Sequence, residues 1–186
     1  MKCFALTAIA ATMLTFSAWA SDAPPVEEVK AVAGGYAKQL KSTLQESVAK
    51  NGAAASLSVC SEKAAQIGAE TANRTGWSIK RVSTQARNPL DMPDTYEAAN
   101  LDQFEALIAS GKEDASSYKV VTEGGVRYAR FMKAIRVEPL CLTCHGSAEV
   151  PADVDKRLSE LYPHDPARGY KTGDLRGAMS IKVKLD

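Results

Sequence analysis

The stretch Pro139-Leu140-Cys141-Leu142-Thr143-Cys144-His145-Gly146 decides how the rest of the sequence is interpreted. It contains one Cys-x-x-Cys-His pattern, the signature of covalent c-type haem attachment. Two thiols three positions apart can form thioether bonds to the two vinyl groups on one porphyrin edge, and the next residue brings an imidazole to the iron. The pattern therefore predicts Cys141 and Cys144 as thioether residues, His145 as the proximal iron ligand, and one covalent haem c as cofactor.

Three other uses of this cysteine pair are weaker. A zinc site needs two further ligands, and the candidates Cys60 and His164 are isolated in the sequence. A thioredoxin-like dithiol lies at the start of a helix in a βαβ unit, and no segment here is typical of one. A disulfide between Cys141 and Cys144 would close a very short, strained loop. His145 adds nothing to a plain redox pair, so haem attachment is favoured.

Residues 1–20 are typical of a secretory signal peptide, with Lys2 as the positive n-region and Cys3–Phe16 as the apolar region. Small residues in Ala18-Trp19-Ala20 predict cleavage before Ser21; an uncleaved anchor is the alternative. The apolar run is too short for a spanning helix. Because c-type haem is attached to exported chains, we expect a periplasmic mature protein with no stable membrane insertion after cleavage.

The composition predicts one globular domain of ordinary size. Lys and Arg total 23 and Asp and Glu total 22, without a basic stripe carrying interleaved aromatics, so nucleic acid is excluded as an expected partner. We divide the mature chain into an N-terminal helical segment, residues 21–52, and a haem domain, residues 53–186.

Apolar periodicity predicts an α+β fold with an antiparallel sheet, because several strands precede a haem motif that comes late in the chain. A helix over residues 22–50 is expected to bend at Gly34-Gly35, and a second runs over residues 53–73 and ends at Gly76. After a strand at 77–82, a capping box at Asp94 opens a helix that is expected to bury Leu101, Phe104, Leu107 and Ile108. A hairpin follows, with strands at 119–122 and 126–137. The last predicted elements are a short helix at 152–161 and a final strand at 176–185.

Cys60 falls on the apolar stripe of the second helix and is expected to point inward. On residues alone, a buried structural thiol and a second axial iron ligand are equally favoured. The first helix either covers the core of its own domain, which is favoured, or packs against a copy of itself in a homodimer. Other conceivable iron ligands are less favoured. Met132 and Met179 lie in predicted strands, and Met92 and His164 lie in predicted loops.

Several short segments occur together along residues 30–186: Val59-Cys60-Ser61, Gly76-Trp77-Ser78-Ile79-Lys80-Arg81, Arg87-Asn88-Pro89, Tyr128–Ile135, Pro139–Gly146, Tyr162-Pro163 and Gly169–Ala178. In this combination the chain resembles a family of exported single-haem c-type proteins with a PAS-like fold. Members of that family, long described only as a domain of unknown function, occur alone and as extracytoplasmic sensor parts of membrane receptors and histidine kinases.

The resemblance implies a PAS-like antiparallel sheet flanked by helices, a long N-terminal helix, and axial ligation by His145 on one side and Cys60 on the other. A thiolate donates electron density to iron, so a low-potential, six-coordinate haem is expected. Haem propionates are anionic and usually meet Arg, Lys, Tyr or backbone donors. Candidates for these contacts come from the matched segments: Arg87, Arg130, Tyr170, Lys171 and Arg176.

Two functions follow from a single haem with this ligation. The first is one-electron transfer with a redox partner protein. The alternative is sensing of redox state or of a gas such as NO or CO, in which Cys60 is displaced and a signalling partner responds. Peroxidase-like catalysis would need an open distal site, which a bound Cys60 blocks, so the chain is not expected to be an enzyme.

Overall fold

The computed structural model describes residues 22–148 and 150–185, and the predicted signal segment 1–20 lies outside the described residues. Helices and strands follow the predicted order. The helices are α1 (Val26–Asn51), α2 (Ala64–Thr75), α3 (Thr95–Ala109), α4 (Pro139–His145) and α5 (Ala152–Leu161); the strands are β1 (Ser78–Val82), β2 (Ser116–Glu123), β3 (Val126–Arg136) and β4 (Leu175–Lys184). The α+β class and the long N-terminal helix are confirmed.

The four strands form one antiparallel sheet in the order β1-β4-β3-β2. β2 and β3 are the predicted hairpin, and Gly124 (φ 57°) and Gly125 (φ 81°) form its two-residue turn. Positive φ at both positions is what a tight turn matched to the strand twist requires, and glycine adopts it without steric cost. β3 then leads directly into α4, which carries the haem motif.

α1 packs against one face of the sheet and covers the core of its own domain. Its buried residues Val29, Ala33, Tyr36 and Leu40 join Phe131, Ile181 and other sheet residues in one cluster. The expected interruption at Gly34-Gly35 is wrong, because one α-helix runs from Val26 to Asn51. Both glycines are exposed on the solvent side of this helix, where packing does not demand a bend.

α3 packs against the opposite face of the sheet, beside Val82, Met132 and Ala178. Its predicted capping box is confirmed: the Asp94 side chain accepts from the Glu97 N–H, and Glu97 accepts from the Asp94 N–H. Leu107 was predicted to be buried and is exposed. At 3.6 residues per turn, Leu107 lies about 120° around the helix from Leu101, outside the stripe that faces the sheet.

The second predicted helix is not continuous. A 3-10 turn over Ala54–Ser56 and a π-helical turn over Val59–Lys63 precede α2, which ends at Gly76 as predicted. In the π turn the Ala64 N–H bonds to the Val59 carbonyl, five residues back. Cys60 therefore lies on a locally widened helical turn. Such π turns are rare overall, and those that occur are often found at functional sites.

In the described part of the chain, no helix is both long and apolar enough to cross a membrane.

Candidate functional site

A cavity of about 280 Å³ opens between α1, the residue 53–63 segment, the loop after β1, and α4. The side chains of Cys60, Cys141, Cys144 and His145 all line it, with apolar neighbours such as Leu57 and Leu140. Its size is near the lower end of ligand cavities, and a mostly apolar wall with a few polar groups is typical of them. The structure thus brings the predicted thioether residues and both predicted axial ligands to one place.

α4 presents the three motif side chains together. Positions separated by three and four residues share one face of a helix, so Cys141, Cys144 and His145 point to the same side. Pro139 occupies the first turn, where its missing N–H costs no hydrogen bond. Both cysteines are free thiols. Burial, reinforced by the neighbouring Cys60 sulfur, raises the pKa of Cys144 to about 11.

The imidazole of His145 is held by its Nδ1 atom. Nδ1 lies 2.8 Å from the Ala167 carbonyl oxygen, which can only accept, so Nδ1 carries the proton. Burial, together with the positive charges of Arg176 and Arg87, lowers the pKa of His145 to about 3. The ring is therefore neutral at pH 7, and its Nε2 lone pair is available to a metal. In metal sites, a hydrogen bond of this kind from the far ring nitrogen to a backbone carbonyl orients the histidine.

A buried ion pair fixes the loop that supplies the Ala167 carbonyl. Arg87 Nε donates to Asp165 Oδ1 at 3.0 Å, and Arg87 Nη2 lies 2.9 Å from Asp165 Oδ2. The same Nη2 donates to the carbonyls of Cys144 (2.7 Å) and Ala167 (3.1 Å). Asp165 also accepts from the Ala167 N–H and from Arg168. Arg87 therefore joins the end of the haem motif to the loop that orients His145.

Cys60 is half-buried and approaches the cavity from the π turn. Arg81, on β1, donates through Nη2 to the Cys60 backbone carbonyl. Burial alone would lower the pKa of Arg81, but Cys60, Tyr36 and Asp91 outweigh it and raise that pKa. Asp91 Oδ2 lies 3.9 Å from Arg81 Nη2, and the buried Arg81 Nε has no hydrogen-bond partner among the described residues.

Arg176 lines the same cavity without a carboxylate partner in the described ranges. Its Nη1 donates to Ser83 Oγ at 2.9 Å and its guanidinium lies over the Tyr170 ring, 5.4 Å from the centroid. Burial lowers its pKa, and the neighbouring charges of Arg87 and Arg81 lower it further. A half-buried cation without a counter-ion is unfavourable, so this wall of the cavity favours an anion.

The five predicted propionate contacts are not brought together. Arg87 and Arg176 line the cavity, and Tyr170 meets the His145 ring edge-on at 6.1 Å between centroids. Lys171 is exposed and does not line the cavity. Arg130 lies on the sheet face under α3, where it pairs with Asp94 (2.8 Å), Glu97 (3.4 Å) and Glu123 (2.6 Å). The structure therefore gives Arg130 a role in the ion pairs under α3 and does not place it at the cavity.

The alternative iron ligands are also dispersed. Met92 and His164 are exposed, and neither lines the cavity. Met132 is fully buried under α3, whereas Met179 is buried in the α1 cluster and also lines the cavity. Within residues 22–148 and 150–185, no group of three or more His, Cys, Asp or Glu side chains could hold a metal ion.

Arg81 was not predicted as a site residue, although one signal for it was present. It stands two residues after Ile79 on a strand, so the alternation of side chains places both on the face that α1 covers. Asp165 and the Ala167 carbonyl carried no such signal, because a loop that returns to the motif from 20 residues away leaves no periodic pattern.

Comparison with known proteins gives two findings. The model of the Tll0287-like family matches residues 23–184. The crystal structure of the cyanobacterial heme-protein Tll0287 superimposes with a TM-score of 0.60 at 26% sequence identity, covering 87% of this chain and 97% of that one. No curated protein matches the chain.

Proposed function

The chain belongs to the Tll0287-like family, and from this premise we propose that it is an exported monohaem c-type cytochrome that transfers single electrons at low potential. Cys141 and Cys144 would attach the haem, and His145 and Cys60 would ligate its iron. The observation that carries the proposal is that these four side chains line one cavity although Cys60 is more than 80 residues distant in sequence. The solved relative is a heme-protein, which supports the same cofactor.

The cavity fits the chemistry of this group in four respects. Its wall is mostly apolar, as a porphyrin requires, and two free thiols stand three positions apart on one helix face. His145 keeps an unprotonated Nε2, because Nδ1 donates to Ala167. Among the described residues Arg176 has no carboxylate partner and Arg81 Nε has no hydrogen-bond acceptor, so both offer donors to carboxylates of the kind that haem carries.

When bound, the haem supplies an iron that takes one electron from a reduced partner protein and passes it to an oxidised one. The protein's own residues would position the haem ligands and shield the iron. Arg87 and Asp165 fix the loop whose carbonyl orients His145, and the apolar wall limits water at the iron. A thiolate from Cys60 would lower the reduction potential, whereas methionine would raise it. If His145 and Cys60 both ligated the iron, no coordination position would be left for a substrate, so we expect no catalytic turnover.

Sensing is the second candidate, and the π turn under Cys60 favours it. A π turn holds one residue more than the α-helix around it, so a shift of this extra residue along the helix would rotate Cys60 away from the cavity. If reduction or a gas ligand released Cys60, the position of this segment would report that event to a signalling partner. The two functions differ in whether Cys60 stays bound on reduction.

The test compares haem-loaded mature protein with Cys60→Ser by optical and EPR spectroscopy in the ferric and ferrous states. Ser58→Ala, an exposed residue of the same segment that does not line the cavity, is the matched control and should resemble the wild type. We expect a low-spin thiolate signature that is absent from Cys60→Ser. Retention of this signature on reduction, with no CO binding, would favour electron transfer; its loss with CO binding would favour sensing. Identical wild-type and Cys60→Ser spectra would refute Cys60 ligation.

Covalent attachment has a separate test. Wild-type protein expressed with its signal segment and a haem-attachment machinery should keep its haem through denaturing electrophoresis. Cys141→Ala with Cys144→Ala should release it, because no thioether can form. Haem that leaves the wild type under the same conditions would overturn the covalent assignment and leave the family relationship intact.

A further inference from the structure

Arg81 binds the backbone of the proposed distal ligand and lies beside its side chain. Its Nη2 donates to the Cys60 carbonyl on the π turn, and the Cys60 sulfur is close enough to raise the pKa of the guanidinium. A guanidinium has five N–H donors in a rigid fork, so one side chain can hold two acceptors in a fixed relation. A lysine at this position could not reproduce that geometry.

The position of Arg81 is itself firmly set. It lies on β1, where it is paired across the sheet with Met179 of β4. Asp91 Oδ2 stands 3.9 Å from the same Nη2, in a 3-10 turn that the Ser83 N–H to Asp91 carbonyl bond (3.0 Å) ties to the end of β1. Tyr36 of α1 contributes a third polar neighbour. The strand and α1 therefore hold the guanidinium against the π turn.

The π turn needs such support. It departs from the α-helical hydrogen-bond pattern only over Val59–Lys63, and α2 continues directly after it. A return of this turn to the α-helical pattern would rotate Cys60 by about 100°, one residue's share of a helical turn. The Arg81 bond to the Cys60 carbonyl would break in that rotation, so it opposes the departure of the thiol from the cavity.

We propose that Arg81 is the positioning residue that keeps Cys60 on the iron when the haem is reduced. The inference rests on the Cys60 ligation proposed above. Arg81 acts through Cys60: its bond to the Cys60 carbonyl fixes the backbone that carries the sulfur, and its positive charge beside the sulfur offsets the negative charge of a thiolate. Both effects favour a bond to ferrous iron, to which a thiolate otherwise binds weakly. Substitution of a residue that holds a metal ligand in position commonly changes metal affinity by about 10- to 100-fold.

The experiment uses haem-loaded Arg81→Gln and Arg81→Lys. For Arg81→Gln we expect a ferric thiolate signature that disappears on reduction, and a CO affinity of the ferrous protein raised about tenfold or more. Arg81→Lys should change the ferrous thiolate signature and the CO affinity in the same direction but by less. Lysine keeps the positive charge and lacks the forked N–H donors of the guanidinium. Arg74→Gln, on the exposed side of α2, is the neutral control for removal of an arginine. Haem content and circular dichroism show whether each variant folds.

Arg176→Gln separates this inference from a general effect of positive charge. It removes a second guanidinium from the same cavity, and the described structure shows no hydrogen bond from Arg176 to Cys60. We expect it to shift the midpoint potential while the thiolate signature survives reduction. Equal loss of the signature in Arg176→Gln and Arg81→Gln would overturn the inference, as would wild-type spectra and CO behaviour in both Arg81 variants.

Failure of the underlying ligation is distinguishable from failure of this inference. If wild-type protein has no ferric thiolate signature, or shares its spectrum with Cys60→Ser, the ligation fails without any Arg81 variant. If the wild-type signature is present and both folded Arg81 variants retain it through reduction, the ligation stands and only the role of Arg81 is lost.

Discussion

Among the described acidic side chains near the cavity, Asp165 accepts hydrogen bonds from the most groups. It is buried, with a side chain 4% exposed, and it accepts from Arg87, Arg168 and the Ala167 backbone. Arg87 is itself only 11% exposed, so its charge depends on Asp165 for compensation. The pair does not contribute much by attraction alone, since desolvation offsets most of that gain. The pair matters because removal of either partner leaves the other charge buried and uncompensated, which is strongly destabilising.

We expect Asp165→Asn to lower the free energy of unfolding by about 3 kcal/mol, because it leaves the buried Arg87 charge unpaired. The measurement is urea unfolding of the haem-loaded protein. Glu160→Gln is the matched control: its pair with Arg157 is roughly half exposed on both sides, and such a pair contributes less than about 1 kcal/mol. Equal small effects of the two substitutions would contradict a structural role for the Arg87–Asp165 pair.

For single residues, the sequence predicts the members of the haem motif better than the residues that hold the motif in position. Cys141, Cys144 and His145 are readable because their chemistry requires one spacing within a single helix turn. Arg87, Asp165 and Ala167 meet only through tertiary structure, and no local pattern joins positions 87 and 165. The placement of Arg130 shows a different failure. Alternation along β3 puts it on the face of Met132, under α3, and membership in a matched segment does not reveal the face.

At the scale of elements, order and type are predictable and local irregularity is not. Apolar spacing at Leu57, Cys60, Ala64, Ile67 and Thr71 fits an uninterrupted helix, and no Gly or Pro stands within Val59–Lys63 to mark the π turn. The contact that accompanies the extra residue, the Arg81 bond to the Cys60 carbonyl, joins positions 21 residues apart and leaves no local pattern. The converse holds in α1, where two consecutive glycines indicate a bend and packing against the sheet keeps the helix continuous.

Glycine substitutions test this contrast between local preference and tertiary demand. Gly34 is exposed in α1 with open space around its Cβ position, so Gly34→Ala should raise the free energy of unfolding by about 0.5–1 kcal/mol. Gly177 in β4 has φ +152°, and a Cβ there would lie 2.2 Å from the Val82 carbonyl oxygen. We expect Gly177→Ala to lower the same quantity by about 1–3 kcal/mol. Chemical denaturation of both variants provides the comparison, and a stabilising Gly177→Ala would show that β1 and β4 are not so closely apposed.

At the scale of the whole molecule, one ion cluster connects α3 to every strand of the sheet. Lys80 on β1 pairs with Glu97 (3.0 Å), Arg130 on β3 pairs with Asp94, Glu97 and Glu123, and Lys182 on β4 pairs with Glu123 at the end of β2 (2.6 Å). Three cations face three carboxylates, so the cluster is neutral. The cavity lies on the opposite face of the sheet, under α1. The fold therefore separates the charges that hold its layers together from the arginines available to an anionic ligand.

The cluster gives the molecule a defined response to acid. Burial alone would raise the pKa of Asp94, but hydrogen bonds from the Glu97 N–H and from Arg130 outweigh it and lower that pKa below its ordinary 3.8. A carboxyl with a lowered folded-state pKa stabilises the fold above its unfolded-state pKa, and this contribution is lost as pH falls through the folded value. Hydrogen bonds from Lys182, with the charge of Arg130, likewise lower the pKa of Glu123.

We expect Asp94→Asn to lower the free energy of unfolding by about 1 kcal/mol at pH 7, because asparagine still caps α3 but no longer carries the charge that faces Arg130. The difference between wild type and variant should shrink as pH falls below about 4 and vanish once Asp94 is protonated in the folded state. Urea unfolding of both proteins from pH 7 to pH 2 measures it, and using the difference cancels the titration of groups that do not interact with Asp94. Asp114→Asn, which removes only an exposed pair with Lys133, is the control and should have little effect at pH 7. A difference that persists unchanged at pH 2 would mean that Asp94 acts through its cap alone and that its charge does not contribute to joining α3 to the sheet.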